Sequence, residues 1–274
     1  MPRLPARLPG QGLRLGVGHD SLALVRTSRL FGARRAPLAE LRIDAAEPEA
    51  LARGLRTLFE GLDVAGWPLT VVLADELARI WQVVPPPQAA SPADLEAAAA
   101  MRFTNLFGAA TAGWTLAADW RSDRPFLAAA LPAPLLASVV DAARAARCPL
   151  IEVVPQFIAA MNGWRRQRRP GAWFGLVHGQ VLTLAAYEGQ ALAALRTAVV
   201  PPGADRSWLE NHLSREALRL GIAAPSLLQL CGSAPRSWTG EAGSLACILF
   251  EDSMAGDMAG EAGALRLACT GSPA

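Results

Sequence analysis

Lysine is absent: all 26 basic side chains among the 274 residues are arginine. With Ala, Gly and Pro abundant as well, this reads as the coding bias of a GC-rich genome, but it also removes chemistry. Neither a Walker-type phosphate-binding lysine nor a Schiff-base lysine is available. Charge is scarce too. Charged residues make up 18% and the formal net charge is +2, far short of the basic surplus that nucleic-acid binding requires. The apolar runs stop well below the roughly 18 residues that cross a bilayer, so no membrane span is expected. Residues 1–12 carry Arg and Pro without an apolar stretch, and are expected to be an N-terminal tail rather than a secretory signal. Four cysteines, Cys148, Cys231, Cys247 and Cys269, include no C-x-x-C spacing. Buried reduced thiols and a cytoplasmic location are therefore expected, rather than zinc ligands or disulfides.

What is present is a folded chain, 52% hydrophobic, organised around residues 79–131. Residues 79–84 alternate like a strand, with Trp81 and Val83 on one face, until Pro85-Pro86-Pro87 stops them. Ser91 is placed as an N-cap ahead of Pro92 and Asp94, so a helix is expected over 95–107, ended by Gly108. Residues 114–120 and 125–131 read as two strands joined by Arg121-Ser122-Asp123-Arg124. Strand, helix and hairpin make a small α+β module inserted in a larger α/β chain.

On either side the pattern repeats. Residues 13–17, 22–26 and 38–43 read as strands, 47–62 as a helix with Leu51, Leu55, Leu58 and Leu62 on one face, and 69–73 as a buried strand. After a helix at 135–146 and a strand at 151–154, a helix is expected over 156–166, ending in Arg165, Arg166, Arg168 and Arg169. A second meander follows at 173–177, 181–187 and 191–198, with turns at His178-Gly179-Gln180 and Glu188-Gly189-Gln190. A helix over 205–220 with Gly221 as its C-cap, a buried strand at 226–230, a strand at 245–250 and a closing helix at 259–269 complete the chain. His212 and Glu216, four apart on one helix, read as a surface hydrogen-bonded pair rather than a metal site. Ser21 and Ser233 lack base-and-acid partners, so a hydrolase triad is not expected.

Both halves follow one plan: a glycine turn between strands, a three-strand meander, a helix, then a buried strand. With LRLGVGHDSLALVR at 13–26, RIWQVVPPP at 79–87, the helix at 95–107, FLAAALPAPLLASVVDAARAARCPLIEVVP at 126–155 and LLQLCGSA at 227–234, the chain resembles the PilM family of type IV pilus assembly proteins. It is similar also to the cytoplasmic part of the type II secretion protein GspL. The resemblance implies an actin-like, ribonuclease H-like fold: a first subdomain over 13–155, the module beside it, and a second subdomain over 156–274.

It also implies a nucleotide cleft, and there the sequence departs from the family. The first turn of that family reads G-I-D-I-G, whereas Gly16-Val17-Gly18-His19-Asp20 puts Gly18 at the acidic position and Asp20 two residues late, a displacement of roughly 3.3 Å per residue. His178-Gly179-Gln180 replaces a D-x-G turn, while Gly232 and Ser233 keep the adenosine-side pattern. A magnesium-bound nucleotide needs oxygen ligands, so a vestigial cleft formed by Gly16, Gly18, Asp20, Ser21, His178, Gly179, Gly232 and Ser233 is expected, with no catalysis, no metal and no cofactor, the alternative being ATP held without turnover. The role implied is a platform peripheral to the inner membrane. It would take the short cytoplasmic tail of a PilN-like bitopic partner in the groove between the first subdomain and the module, with Trp81, Trp114 and Trp120 as the candidates of which one or two line it, and would contact an assembly ATPase. The alternatives are an active actin-like ATPase or sugar-kinase relative, and a cytoplasmic piece of a GspL-like membrane protein.

Overall fold

The apolar runs of the first 75 residues condense into one mixed sheet. In the computed structural model, which describes residues 10–28, 35–45, 47–89, 91–242, 244–251 and 263–271, β1 (Gln11–Val17), β2 (Ser21–Ser28) and β3 (Arg35–Arg42) form an antiparallel meander. α1 (Pro48–Phe59) leads to β4 (Leu69–Leu73), which pairs parallel with β1. Leu51, Leu55 and Leu58 of α1 are buried, as their spacing predicts.

Next come β5 (Arg79–Val83), α2 (Pro92–Phe107), β6 (Trp114–Ala118) and β7 (Phe126–Pro132), a separate sheet of order β5-β7-β6. The start of α2 is a reciprocal cap: Asp94 N–H donates to Ser91 Oγ at 3.3 Å and Ser91 N–H to Asp94 Oδ2 at 2.9 Å. Gly108 ends it in the left-handed region, φ 64°. Alternation along β5 sends Trp81 and Val83 under α2, among Leu95, Ala99, Phe103 and Phe126. Ile80 goes the other way and, with Leu127, packs against Leu192 and Leu195. Gln82 reinforces that contact by donating Nε2 to the Leu192 carbonyl at 2.6 Å. The module was expected beside the first half; its second face, Ile80 and Gln82 of β5, is in addition docked on the other half.

α3 (Ala133–Ala145) and β8 (Leu150–Pro155) complete the first sheet in the order β3-β2-β1-β4-β8. α4 (Gln156–Gly163) then crosses to β9 (Trp173–His178), β10 (Val181–Glu188), β11 (Ala191–Val199), α5 (Arg206–Leu220), β12 (Leu227–Gly232), β13 (Gly240–Ala242) and β14 (Leu245–Leu249). Their order is β11-β10-β9-β12-β14-β13, with β9 and β12 parallel as β1 and β4 are, so one plan is used twice. α4 stops at Gly163 rather than Arg166. There the missing Cβ admits the Gly271 carbonyl, and Trp164 turns inward to stack on Phe250 at 4.8 Å. β13, three residues long, had no signal in the sequence.

The closing helix, α6 (Gly263–Cys269), corrects the expected boundary. Within 156–274 it would belong to the second subdomain, yet Ala264, Leu265, Ala268 and Cys269 pack on Ala23 and Val25 of the first sheet. Gly16 makes this possible: a Cβ there would overlap the Ala264 carbonyl. Arg14 finishes the contact, donating Nε to the Ala268 carbonyl at 2.6 Å and Nη2 to that of Thr270 at 2.7 Å, where the helix leaves its carbonyls unpaired. Of the expected tail over 1–12, Gln11 and Gly12 belong instead to β1, paired with Ser28 and Thr27; residues 1–9, with 259–262 of the expected closing helix and 272–274, lie outside the described residues. All four cysteines are free and buried, and no helix among the described residues is long and apolar enough to cross a membrane.

Gly16→Ala is expected to lower stability by about 1–3 kcal/mol, since backbone, not a flexible side chain, must yield. Equilibrium denaturation reads this directly, and an unchanged midpoint would mean that α6 does not sit on β1.

Candidate functional site

Four turns meet where the strands of the two sheets end. β1 and β4 are parallel neighbours, so their C-terminal ends lie side by side, and the same holds for β9 and β12. The glycine turn after Val17 closes through Gly18 N–H donating to the Ser21 carbonyl at 2.8 Å. Gly18 is buried, and a Cβ there would come within 3.1 Å of Ser21 Oγ. His19 and Asp20 are exposed, whereas Ser21 is buried and donates Oγ to Asp20 Oδ1 at 3.0 Å. The Asp20 carboxylate is therefore engaged within its own turn.

In the second half, His178 ends β9 and is half-buried, with Gly179 at φ 55° in the tight turn beyond it. Burial lowers the His178 pKa; Glu76 acts to raise it and Arg266 to lower it, so these two are its charged neighbours. Gly232, at φ 80°, approaches the Val177 carbonyl where a side chain would overlap it. Ser233 donates both N–H and Oγ to that carbonyl, at 2.8 and 3.1 Å. The structure thus brings Gly16, Gly18, Ser21, His178, Gly232 and Ser233 to the sheet ends, but turns the serines inward.

Two residues here were missed from sequence. Asp75, just beyond β4, accepts the Phe157 N–H at 2.9 Å and caps the start of α4 from the opposite turn. Although part of the residue remains open to solvent, desolvation raises the carboxyl pKa to about 7, against the backbone bonds from Phe157 and Gln156 that lower it. Gln156, 2% exposed, donates Nε2 to Thr270 Oγ1 at 3.1 Å while its Oε1 has no protein partner. An Asp two residues past the apolar run 69–73 was the available signal for the first; Gln156 gave none. No group of three His, Cys, Asp or Glu able to hold a metal converges among the described residues.

The tryptophans separate. Trp81 is 2% exposed and edge-on to Phe103 at 5.2 Å, so it is a core residue and not part of a groove. Trp120 is half-buried, edge-on to Phe126 at 6.1 Å, in a strained left-handed conformation, φ 49°. Trp114 is half-buried at the start of β6, with the Arg79 guanidinium 5.7 Å from its ring and 5.8 Å from that of Phe107. Val84, Met101, Leu106 and Phe107 of the same module are exposed. β6 is an edge strand. Pro132 opposite Trp114 lacks an N–H, and Ala133 N–H donates to the Gly113 carbonyl, so Thr115 and Ala117 are the hydrogen-bonded positions facing β7. Leu116 and Ala118 therefore point their backbone groups outward.

Elsewhere, His212 and Glu216 are not a surface pair. Both are buried, His212 stacked on Trp208 at 5.2 Å and Glu216 bonded to Arg219 at 2.6 Å and to Arg196 at 3.4 Å. A depression of about 340 Å³ between α1 and α3, lined by Leu55, Phe59 and Ala142 among others, shares no residue with the turns.

No family model and no curated protein sequence matches this chain. Solved structures do. The cytoplasmic domain of EpsL, an inner-membrane component of the type II secretion system of Vibrio cholerae, is 12% identical with a TM-score of 0.57, over 94% of this chain and 92% of that one. A structure of the PilM-PilN type IV pilus biogenesis complex is 16% identical with a TM-score of 0.57, over 98% and 100%. A Bacteroides thetaiotaomicron protein with an actin-like ATPase fold and unknown function is 9% identical with a TM-score of 0.55, over 94% and 95%. The chain has the actin-like ATPase fold over nearly its whole length.

Asp75 provides a pH test. Its folded pKa, about 7, lies above the ordinary 3.8, so the ionised form is the one that folding disfavours. The carboxyl stabilises the fold below the lower value, and that contribution is lost as pH rises through the higher. Asp75→Asn keeps an acceptor for the Phe157 N–H and removes the titration. The stability of the variant relative to the unsubstituted protein is expected to rise by a few kcal/mol between about pH 4 and about pH 8. Parallel pH profiles in urea denaturation would contradict the assignment.

Proposed function

We propose that this chain is a non-catalytic cytoplasmic platform protein of a type IV pilus or type II secretion-like machine. It would lie peripheral to the inner membrane, dock the short cytoplasmic tail of a PilN-like single-span protein, and pass conformational change to an assembly ATPase. The observation that carries this is the open β6 edge. Leu116 and Ala118 offer unpaired backbone groups, next to the apolar and cationic surface of Trp114, Phe107 and Arg79. An extended peptide can add a strand to such an edge and seat an apolar anchor beside it. Whole-length likeness to a PilM-PilN complex and to an EpsL cytoplasmic domain supports the reading.

The cleft argues in the same direction. Gly18 stands where a metal-serving carboxylate is expected, the second turn has His178 in place of an acid, and Asp20 is bonded within its turn. Asp75 is engaged with α4, its carboxyl oxygen accepting the Phe157 N–H. The likeness to EpsL keeps a second reading in view, a cytoplasmic piece of a GspL-like protein. An apolar span encoded in the same reading frame identifies that case.

A PilN-like single-span protein encoded beside this chain is expected, and a labelled peptide of its cytoplasmic tail is the probe. Ala118→Pro removes an outward N–H from β6 without touching the β6–β7 ladder, and is expected to weaken binding at least tenfold, by about 1.4 kcal/mol. Unchanged affinity would rule out strand addition at β6. Incubation with magnesium and ATP is expected to yield no phosphate above background; turnover lost on Asp20→Ala would establish the ATPase alternative.

A further inference from the structure

Residues 164–169, WRRQRR, follow α4, and their four arginines are not equivalent. Arg168 is an anchor. It donates to Tyr187 Oη at 2.6 Å and lies over the rings of Phe174 and Tyr187, at 5.4 and 5.1 Å. Arg165, Arg166 and Arg169 are exposed, and among the described residues none uses its side chain in a hydrogen bond or ion pair.

The backbone carrying these three is firmly held. Trp164 is buried and stacked on Phe250 at 15°, and Arg168 N–H donates to the Trp164 carbonyl at 3.0 Å, closing a single turn. Gln229 on β12 is 1% exposed. Its Oε1 accepts the Arg169 N–H at 2.9 Å, and its Nε2 donates to the Gln167 carbonyl at 3.2 Å. A fully buried amide is thus devoted to two backbone groups of one surface turn. Three guanidiniums within one turn repel one another, and the nearby acids do little to offset this. Glu251, next to Phe250, is paired with Arg236 at 2.8 Å. The neighbouring turn, whose Gly189 carbonyl approaches Gly171, brings one carboxylate, Glu188.

We propose that this turn is a docking point for anionic phospholipid headgroups at a bilayer surface. Guanidiniums pair with phosphate oxygens through two parallel N–H bonds, and a turn already ordered loses little further freedom on binding. A bilayer fits better than an acidic protein. Residues 165–171 include no exposed large apolar side chain to act as an interface anchor, whereas a charged leaflet requires only local positive charge. The proposal shares with the platform reading only a position near the membrane, and needs neither the partner nor the β6 edge.

Co-sedimentation of the whole chain with phosphatidylglycerol-containing vesicles, against pure phosphatidylcholine vesicles, tests it. Binding to the anionic vesicles alone, weakened by salt, is expected. The triple substitution Arg165→Gln, Arg166→Gln, Arg169→Gln should lower partitioning by about fivefold per arginine, on the order of a hundredfold in all. Its melting temperature and its affinity for the tail peptide should not change. A charge-matched control, Arg42→Gln, Arg53→Gln, Arg56→Gln, should retain vesicle binding. Equal losses from the two triples would reduce the effect to bulk charge and overturn the proposal. So would binding to polyglutamate but not to vesicles, which would assign the turn to an acidic protein.

Discussion

Backbone pressed against backbone is the constraint on which this molecule depends. α6 can lie on the first sheet only because Gly16 has no side chain, and α4 meets the end of α6 through Gly163 and Gly271. Around these contacts the polar groups act as fasteners. Arg14 holds the last carbonyls of α6, Asp75 holds the first amides of α4, and Gln156 ties α4 to Thr270. Packed main chain deforms little, so the two helices that cross between the sheets are held as one assembly, and the four turns at the strand ends inherit their positions from it.

At the four turns the polar groups bond within the protein: Ser21 to Asp20, Ser233 to the Val177 carbonyl, Asp75 to Phe157. Further out, on the module, Arg79, Phe107 and Trp114 form a cationic and aromatic rim next to an edge strand. The module's opposite face is seated on the second half, where Ile80 and Leu127 pack on the cluster containing Leu192 and Gln82 bonds the Leu192 carbonyl.

Much of the architecture was legible in advance, since the signals were local. Ser91 and Gly108 marked the ends of α2, the leucine stripe marked α1, and the apolar run 69–73 marked a central strand. Departures came where one residue serves a distant element. Trp81 fits a groove lining by sequence, because alternation reveals which residues share a face but not which face is covered. His212 and Glu216 read as a surface pair from their spacing, but α5 packs both inward, with Glu216 paired to Arg196 on β11.

From the chain alone came the duplicated order of strands and helices and the inserted module, because periodicity, caps and turn residues act within a few positions of one another; the absence of an acid at Gly18 came from the family resemblance. Only the tertiary structure decided that the C-terminal helix returns to the first sheet, that Asp75 and Gln156 belong to the centre, and that the module leans on both halves. Those depend on contacts between residues as much as 256 positions apart, as in the bond from Arg14 to Thr270, and no local pattern encodes them.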